Sequence, residues 1–427
     1  MKKMNKQSLV AVGLLGFISL TTEVMAMPMF ATQTGMDCTA CHIQHIERLN
    51  KFGRKFLASG MTMSQKFTDA NSSGSDINPS VMFKSIYEKT DNKPSESGVV
   101  KATTVTNDGI LSVPRTAALF VGGRVTNNFG ALVNLSYKSQ NDNSISGKMV
   151  YAQEIEDGYM GLAAYSTADF GPFSGMEIYN SGLYKPFRTF DIRRLSNALQ
   201  ATEIGTGAAT GLQAYFDKDG ALADGDHVFA TVGMYAQGQD NNQMDLTSNM
   251  IPFARIAYEY PLGSYNVILG GFIIKGGETV SSTSSLSIER ETYGMDFMVE
   301  GYIGDKSATL TMSKVFKNEV TYTGIGAGSS KDLDNIDNEA FSVGGEVNLA
   351  PGFGVKLAYL TMNDLYAYSN TKHINVKDLD NAITVGMDYS FKYYLPMKLT
   401  VEHSWAKPSR SDIEDYRDFL ISFNMLF

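Results

Sequence analysis

Both cysteines of the chain lie in one short motif, Cys38-Thr39-Ala40-Cys41-His42. Thiols at this spacing lie about one helical turn apart, so they can add to the two vinyl groups of a single haem. The adjacent histidine is then placed to bind the haem iron as its proximal ligand. The motif therefore predicts one covalently bound haem c, attached through Cys38 and Cys41 with His42 on the iron.

Three other uses of two neighbouring cysteines compete with haem attachment. A structural disulfide is possible in an oxidising compartment. A thioredoxin-like redox pair would lie near a βαβ pattern, which this sequence lacks, and a tetrahedral zinc site would need ligands that no further cysteine supplies. Haem attachment is the favoured interpretation.

The second axial position of the iron is less well specified by the sequence. His45 lies three residues after His42, so on a shared helix it would stay on the same side of the haem. Met61 and Met63 follow about twenty residues after the motif, beyond a bend at Gly60, and a methionine sulfur can serve as an axial ligand. Met61, or Met63 beside it, is the candidate distal ligand. An open position or a residue from later in the chain is the alternative.

The residues after the motif predict a small helix with one apolar face. Leu49, Phe52 and Phe56 are spaced three or four residues apart, so they share a helix face on which the two rings can cover a haem edge. In a domain this small, the haem itself would supply most of the core. Arg54 is expected either to pair with a haem propionate or to be a solvated charge.

The beginning of the chain has the pattern of an export signal. Three lysines precede an apolar run from Ser8 to Leu20, and Val24-Met25-Ala26 is typical of a cleavage site with small residues. The run is too short for a helix that spans a membrane, although an uncleaved anchor is the alternative. We expect residues 1–26 to be a signal peptide cleaved after Ala26. Export suits haem c, because this cofactor is attached outside the cytoplasm.

From Asn78 onward, stretches of about ten residues alternate apolar and polar side chains, as in 382–391, and the last such stretch ends at Phe427. A two-residue period places one set of side chains on lipid and the other in a polar lumen. A soluble β-sandwich is the alternative, but it would bury its apolar set and rarely end on an exposed aromatic strand. The alternation therefore predicts a membrane β-barrel.

About sixteen strands can be placed so that short and long connections alternate, as barrels of this kind require. They lie near 79–90, 114–125, 129–140, 158–168, 174–183, 209–217, 226–237, 250–260, 264–275, 291–303, 307–317, 339–349, 353–363, 382–391, 396–404 and 418–427. Residues 146–156 are assigned to a loop, because a strand there would break the alternation of connection lengths. An even count places both termini on the periplasmic, short-turn side.

The predicted fold class is mainly β: an outer-membrane antiparallel β-barrel of about 16 strands, preceded by a small α-helical monohaem c-type cytochrome segment. The expected domains are the signal peptide (1–26), the haem segment with its linker (27–76) and the transmembrane barrel (77–427). A barrel of this size encloses a water-filled lumen. The haem segment is small enough to enter that lumen as a plug.

Composition and charge narrow the possible partners. Apolar residues make up 43% and charged residues 19% of the chain, whose net charge is −9. An acidic chain argues against nucleic acid, which needs a basic surface. Carboxylates gather in three expected outer loops, at Asp332–Glu339, Asp378–Asp380 and Asp412–Asp415, with His373 in the second loop. Their field would concentrate divalent cations such as Fe(II).

The haem motif and its flanks resemble one known family. The residues that carry the resemblance are Pro28, Phe30, Ala31, Gln33, Thr34, Gly35, Cys38, Cys41, His42, Leu49, Phe52, Gly53, Arg54, Phe56 and Gly60. This pattern resembles the fused cytochrome–porins, the outer-membrane iron oxidases of iron-oxidising bacteria, in which a small monohaem cytochrome precedes a β-barrel. The match covers about 35 residues and departs from the family pattern at Thr32, Ile46 and Met61. The rest of the chain agrees in architecture alone.

The resemblance implies electron transfer across the outer membrane, from extracellular Fe(II) through the haem to a periplasmic cytochrome c, with outer-membrane lipid around the barrel. Two alternatives stay open. One is electron transfer with another extracellular donor or acceptor, and the other is a diffusion porin whose haem segment is a plug or sensor. No Ser-His-Asp arrangement, phosphate loop or carboxylate pair at catalytic spacing is evident, and haem electron transfer requires none.

Overall fold

A computed structural model of the chain describes residues 28–44, 48–63, 75–91, 109–138, 144–167, 171–177, 181–205, 207–237, 249–279, 287–323, 336–364, 379–391, 397–409 and 414–427. The expected signal peptide, residues 1–26, lies outside the described residues. The same is true of His45, Ile46, His373, Asp332, Asp334, Asp378 and Asp412.

Sixteen antiparallel strands close into a barrel in which every strand pairs with its neighbours in sequence. They are β1 (Asp76–Asp91), β2 (Ile110–Thr126), β3 (Phe129–Lys138), β4 (Ser144–Ile155), β5 (Gly158–Thr167), β6 (Ala209–Asp219), β7 (His227–Gln237), β8 (Ile251–Leu262), β9 (Tyr265–Thr279), β10 (Ser287–Ile303), β11 (Lys306–Thr323), β12 (Ile336–Ala350), β13 (Phe353–Asp364), β14 (Leu379–Phe391), β15 (Met397–Pro408) and β16 (Tyr416–Leu426). β1 and β16 close the barrel, with Met82 opposite Leu426. The predicted fold class, a mainly β closed barrel of sixteen strands with a few short N-terminal helices, is confirmed.

The two-residue alternation decides which side chains face outward. On β14, Ile383 and Met387 are 44% and 48% exposed, whereas Thr384 and Asp388 on the opposite face are buried. Other strands expose apolar side chains in the same way, among them Leu162, Leu212, Val232, Ile256 and Leu357. An outer wall of exposed apolar side chains is stable in lipid rather than in water. The fold is therefore that of a membrane-spanning barrel of the bacterial outer-membrane type.

Two of the expected assignments, one loop and one strand, are wrong, and together they leave the strand count at sixteen. Residues 146–156, expected in a loop, belong to β4, where Lys148 faces inward and Met149 outward. Residues 174–183, expected as a strand, instead begin at the end of a 3-10 helix, Pro172–Gly175. All of the residues 171–177 are buried, whereas a strand of the barrel wall would alternate. A strand at 146–156 in place of the one at 174–183 preserves the alternation of connection lengths, so only the side-chain pattern separates the two assignments.

Two segments fill the lumen. We call residues 28–44 and 48–63 the N-terminal plug; it carries α1 (Pro28–Thr34), α2 (Cys38–Cys41) and α3 (Lys51–Ala58). We call residues 171–177 and 181–205 the inward segment; it connects β5 to β6 and carries the 3-10 helix and α4 (Ala198–Ala201). Beneath these two segments the polar inner wall is buried, including Asp217, Glu259, Glu300 and Glu402.

The N-terminal plug lies at the end of the barrel that carries the short turns. The Gln44 side chain donates to the carbonyl oxygen of Ser307 at 3.1 Å, just after the turn between β10 and β11. The Lys51 ammonium donates to the carbonyl oxygen of Gly225, in the turn between β6 and β7, at 3.0 Å. We call this end the short-turn opening. No helix among the described residues is long and apolar enough to span a membrane.

Candidate functional site

The Cys38–His42 motif forms one helical turn at the short-turn opening. The N–H of His42 donates to the carbonyl oxygen of Cys38 at 2.9 Å, and His42 forms an isolated β-bridge with Leu49. Cys38, Cys41 and His42 are half-buried, and the two cysteines are not joined in a disulfide. Burial, and next the neighbouring Cys38, raises the pKa of the Cys41 thiol to about 11. Both sulfur atoms thus lie on one helical turn.

Helix α3 supports the motif through a close contact at Gly53. The Asn50 side chain accepts a hydrogen bond from the N–H of Gly53 at 2.9 Å, and the backbone N–H of Asn50 donates to the carbonyl oxygen of Cys41 at 2.9 Å. A Cβ atom at Gly53 would overlap that carbonyl oxygen and lie 2.9 Å from Cδ2 of Leu49. Only glycine permits so close an approach. The motif and α3 therefore form one unit.

The aromatic and methionine candidates share an apolar cluster between the plug and the wall. Phe56 is 4% exposed and packs edge-on against Phe30, with ring centroids 5.2 Å apart. Met61 and Met63 are buried in the same cluster, and the half-buried Phe52 packs against it. The structure thus brings the candidate haem-covering rings and the candidate distal ligands together. The ligand role of Met61 stays a prediction.

Arg54 joins the plug to the barrel wall through two buried carboxylates. Its Nη2 atom lies 2.6 Å from Oε1 of Glu259 on β8 and 2.8 Å from Oε1 of Glu300 on β10, and all three side chains are at most 3% exposed. Burial alone would lower the pKa of Arg54, but the charges of Glu259 and Glu300 raise it above its ordinary value. The expectation of a solvated Arg54 is wrong, because its charge is matched by the wall.

Arg48 adds a second cation to this contact. Its Nη2 atom lies 3.7 Å from Oε2 of Glu300, and its guanidinium lies 4.8 Å from the ring centroid of Phe187 in the inward segment. Burial lowers the pKa of Arg48 to about 10, an effect that the charge of Glu300 opposes. The hydroxyl of Tyr184 donates to the carbonyl oxygen of Arg54. The inward segment therefore packs directly on the plug.

On another side of α3, two lysines form ion pairs with Asp219, which is hydrogen-bonded through His227 to Asp217. The ammonium groups of Lys55 and Lys51 lie 2.7 Å and 3.3 Å from the carboxylate of Asp219. His227 bridges Asp219 and Asp217, with each ring nitrogen 2.9 Å from a carboxylate oxygen. Oppositely charged contacts on two sides of α3 set the position of the plug in the lumen.

The inward segment is held by a different wall carboxylate. Glu402 accepts hydrogen bonds from the backbone N–H groups of Asp191 at 2.8 Å and Ile192 at 2.6 Å. Within the segment, burial lowers the pKa of Lys185 to about 7, although the neighbouring Glu177 opposes this. Burial also raises the pKa of Glu177. The N-terminal plug and the inward segment are therefore each bound to the barrel wall by polar contacts.

Two described carboxylates of the expected acidic loops are paired with lysines. Glu339 lies 3.0 Å from Lys314, and Asp380 lies 3.5 Å from Lys407. In the part of the chain that the structure describes, no group of three or more His, Cys, Asp or Glu side chains is arranged to hold a metal ion. These described residues therefore form no site for a bound cation at the long-loop side, where the sequence predicts a negative field.

No family model and no curated protein match this chain. Among solved structures, it is similar to a loop L8 deletion mutant of OmpT, an outer membrane protein of Vibrio cholerae, at 11% identity and a TM-score of 0.48, over 82% of this chain and 99% of that one. It is also similar to an anion-selective porin from Comamonas acidovorans, at 12% identity and a TM-score of 0.47, over 83% of this chain and 100% of that one. The outer membrane channel DcaP of Acinetobacter baumannii shows 13% identity and a TM-score of 0.45, over 84% of this chain and 98% of that one.

The residues at the short-turn opening fit a covalently bound haem c. Two thiols share one turn, a histidine follows directly, and Gly53 leaves no side chain between α3 and the motif. The resemblance to the cytochrome–porins stays a hypothesis that rests on residues 28–60. Sequence reasoning missed Glu259 and Glu300, although both occupy inward positions close to the short turns that end β8 and β10.

Proposed function

We propose that this chain is an outer-membrane barrel that transfers electrons from extracellular Fe(II) to a periplasmic cytochrome c through one haem c held at its short-turn opening. The observation that supports the proposal is the position of Cys38, Cys41 and His42. They are half-buried on a plug that is bound to the barrel wall, at the opening where the chain enters its first strand. A carrier on the periplasmic side can approach this opening directly.

Different residues of the chain would bind and surround the cofactor. Cys38 and Cys41 would form the thioether links and His42 would bind the iron, while Phe52 and Phe56 keep water from the apolar side of the site. Met61 is the proposed distal ligand. A bound haem would supply a one-electron redox couple, so the chain needs no acid or base of its own.

An anaerobic titration of the purified protein with Fe(II), followed by haem absorbance, tests the electron donor. Reduction of the haem, and its reoxidation by a soluble cytochrome c, is the expected result. The Cys38→Ala/Cys41→Ala variant is the control and should give no signal. Failure of Fe(II) to reduce a haem-loaded protein at any pH would remove iron as the donor, and a screen of other donors would then follow.

A second candidate is a diffusion porin in which the N-terminal plug regulates passage. The observation in its favour is the polar inner wall, with charged residues such as Asp217, Asp388 and Lys398 facing the lumen, as a water-filled channel requires. Single-channel conductance of the intact chain and of a variant without residues 27–76 separates the two functions. A large conductance in the intact protein would favour the porin, and a conductance only in the shortened variant would favour a closed, electron-transferring barrel.

A further inference from the structure

We propose that Glu259 and Glu300 are positioning residues that set the location of the haem-binding motif by holding Arg54; this rests on the proposed haem site. The two glutamates belong to the barrel wall and Arg54 to the plug, so the contact joins parts of the chain more than two hundred residues apart. Neither glutamate belongs to the motif itself. Their effect on it passes through α3.

The geometry gives the contact a single preferred position. One nitrogen of Arg54 donates to both glutamates, at 2.6 Å and 2.8 Å, and another donates to the carbonyl oxygen of Leu49 at 3.0 Å. Arg48 balances the second negative charge, so two cations face two anions in a buried space. Charge-assisted bonds of this kind are directional, and a displaced Arg54 would leave buried charges without partners.

The cluster is not arranged for maximum stability. Nε of Arg48, Nε of Arg54, Oε2 of Glu259 and Oε2 of Glu300 are buried without a hydrogen-bond partner among the described residues. Apolar side chains of similar size would fill this space without such a cost. A buried polar contact that is incompletely satisfied is better explained by the need for one defined position of the plug than by stability alone.

The position of Arg54 is transmitted to the motif over a short distance. Arg54 follows Gly53, the residue whose backbone touches the carbonyl group of Cys41. The N–H of Arg54 donates to the carbonyl oxygen of Asn50 at 3.0 Å. Asn50 in turn donates hydrogen bonds from its side chain to the carbonyl oxygen of Ala40 and from its backbone N–H to that of Cys41. Movement of Arg54 would therefore move the turn that carries both thiols and His42.

The test compares Glu259→Gln/Glu300→Gln with a matched control, Glu402→Gln. Glu402 is also a buried wall carboxylate that is paired with a cation, but it contacts the inward segment rather than the plug. Both variants are made in the full-length, haem-loaded protein, and heat-modifiable migration on a gel verifies that each barrel is folded. The measurements are haem content, haem midpoint potential and amide hydrogen exchange in residues 48–63.

The expected result is unchanged haem content, a shifted midpoint potential and exchange at least tenfold faster in the Glu259→Gln/Glu300→Gln protein, with none of these changes in the control. Adding Arg54→Gln to the double variant should accelerate hydrogen exchange less than Arg54→Gln does in the native background. In the native background, Arg54→Gln leaves the charges of Glu259 and Glu300 buried without their partner, whereas the double variant no longer carries those charges. Exchange and potential equal to those of the control would overturn the proposal. If the native chain carries no haem, the proposed function fails, and the exchange rates alone still decide whether the two glutamates position the plug.

Discussion

Gly53→Ala should loosen the haem-binding motif while leaving the barrel intact. The added Cβ would overlap the carbonyl oxygen of Cys41 and lie 2.9 Å from Cδ2 of Leu49. Carbon atoms pack best at about 3.5–4.0 Å, so relief of the Leu49 contact alone needs a movement of roughly 0.6–1.1 Å, and relief of the overlap with the backbone carbonyl of Cys41 needs a larger one. Overpacking of this kind costs about 1–3 kcal/mol. Since about 1.4 kcal/mol changes an equilibrium tenfold, the opened state should become about 5 to 140 times more populated.

Hydrogen exchange at two amides measures this change directly. The N–H of Asn50 donates to the carbonyl oxygen of Cys41 at 2.9 Å, and that of Ile43 donates to the carbonyl oxygen of Arg48 at 3.0 Å. Both bonds join the motif to the residues that lead into α3, so we expect both to break when α3 moves away. The matched control is Gly271→Ala in β9, where the nearest atom to an added Cβ is 3.9 Å away. Exchange at both amides within twofold of the unsubstituted protein, in a correctly folded barrel, would refute the argument that this contact requires glycine.

Three further predictions concern the cofactor, the plug and the inward segment. Cys38→Ala/Cys41→Ala should lose covalent haem in a pyridine haemochrome assay but keep the heat-modifiable migration of the barrel, because the wall does not depend on the motif. Tyr215→Phe removes the hydroxyl that donates to the carbonyl oxygen of Ala58 at 2.6 Å. Loss of this hydrogen bond should destabilise the contact between α3 and the wall by about 1 kcal/mol and raise hydrogen exchange in α3 about fivefold. Unchanged exchange would show that this hydrogen bond does not stabilise α3. Because the pKa of Lys185 in the folded protein is lowered to about 7, the unfolded chain binds this proton more tightly, and the stability of the inward segment should rise as the pH increases from about 7 to 10. Thermal unfolding across this pH range should show the rise in stability. If a Lys185→Met variant shows the same rise, another titrating group is responsible for it.

The two segments inside the lumen bear on both candidate functions. A diffusion porin needs an open path, yet the plug and the inward segment bury the polar inner wall over much of its surface. The proposed electron transfer needs a firmly held cofactor that exchanges electrons with a donor outside and an acceptor in the periplasm, but it needs no open path for solutes. The same contacts that would obstruct diffusion would therefore favour a constant position for a bound haem.

Alternation along the chain was sufficient to predict the barrel. An inward Thr384 and an outward Ile383 follow from a period of two residues, because successive side chains of a strand point to opposite faces. The motif at Cys38–His42 is likewise local, since its chemistry depends on five consecutive residues. Both predictions rest on interactions between near neighbours in the sequence, which is why they needed no three-dimensional information.

Contacts between distant parts of the chain were decided only by the tertiary structure. Residues 171–177 enter the lumen instead of forming a strand, because their apolar and polar side chains are all buried there at once. Arg54 meets Glu259 and Glu300, a pairing that depends on barrel closure bringing β8 and β10 around the plug. Sequence spacing contains no information on which of many inward carboxylates will lie beside a given cation. That choice is made by the packing of the whole barrel around the segment it encloses.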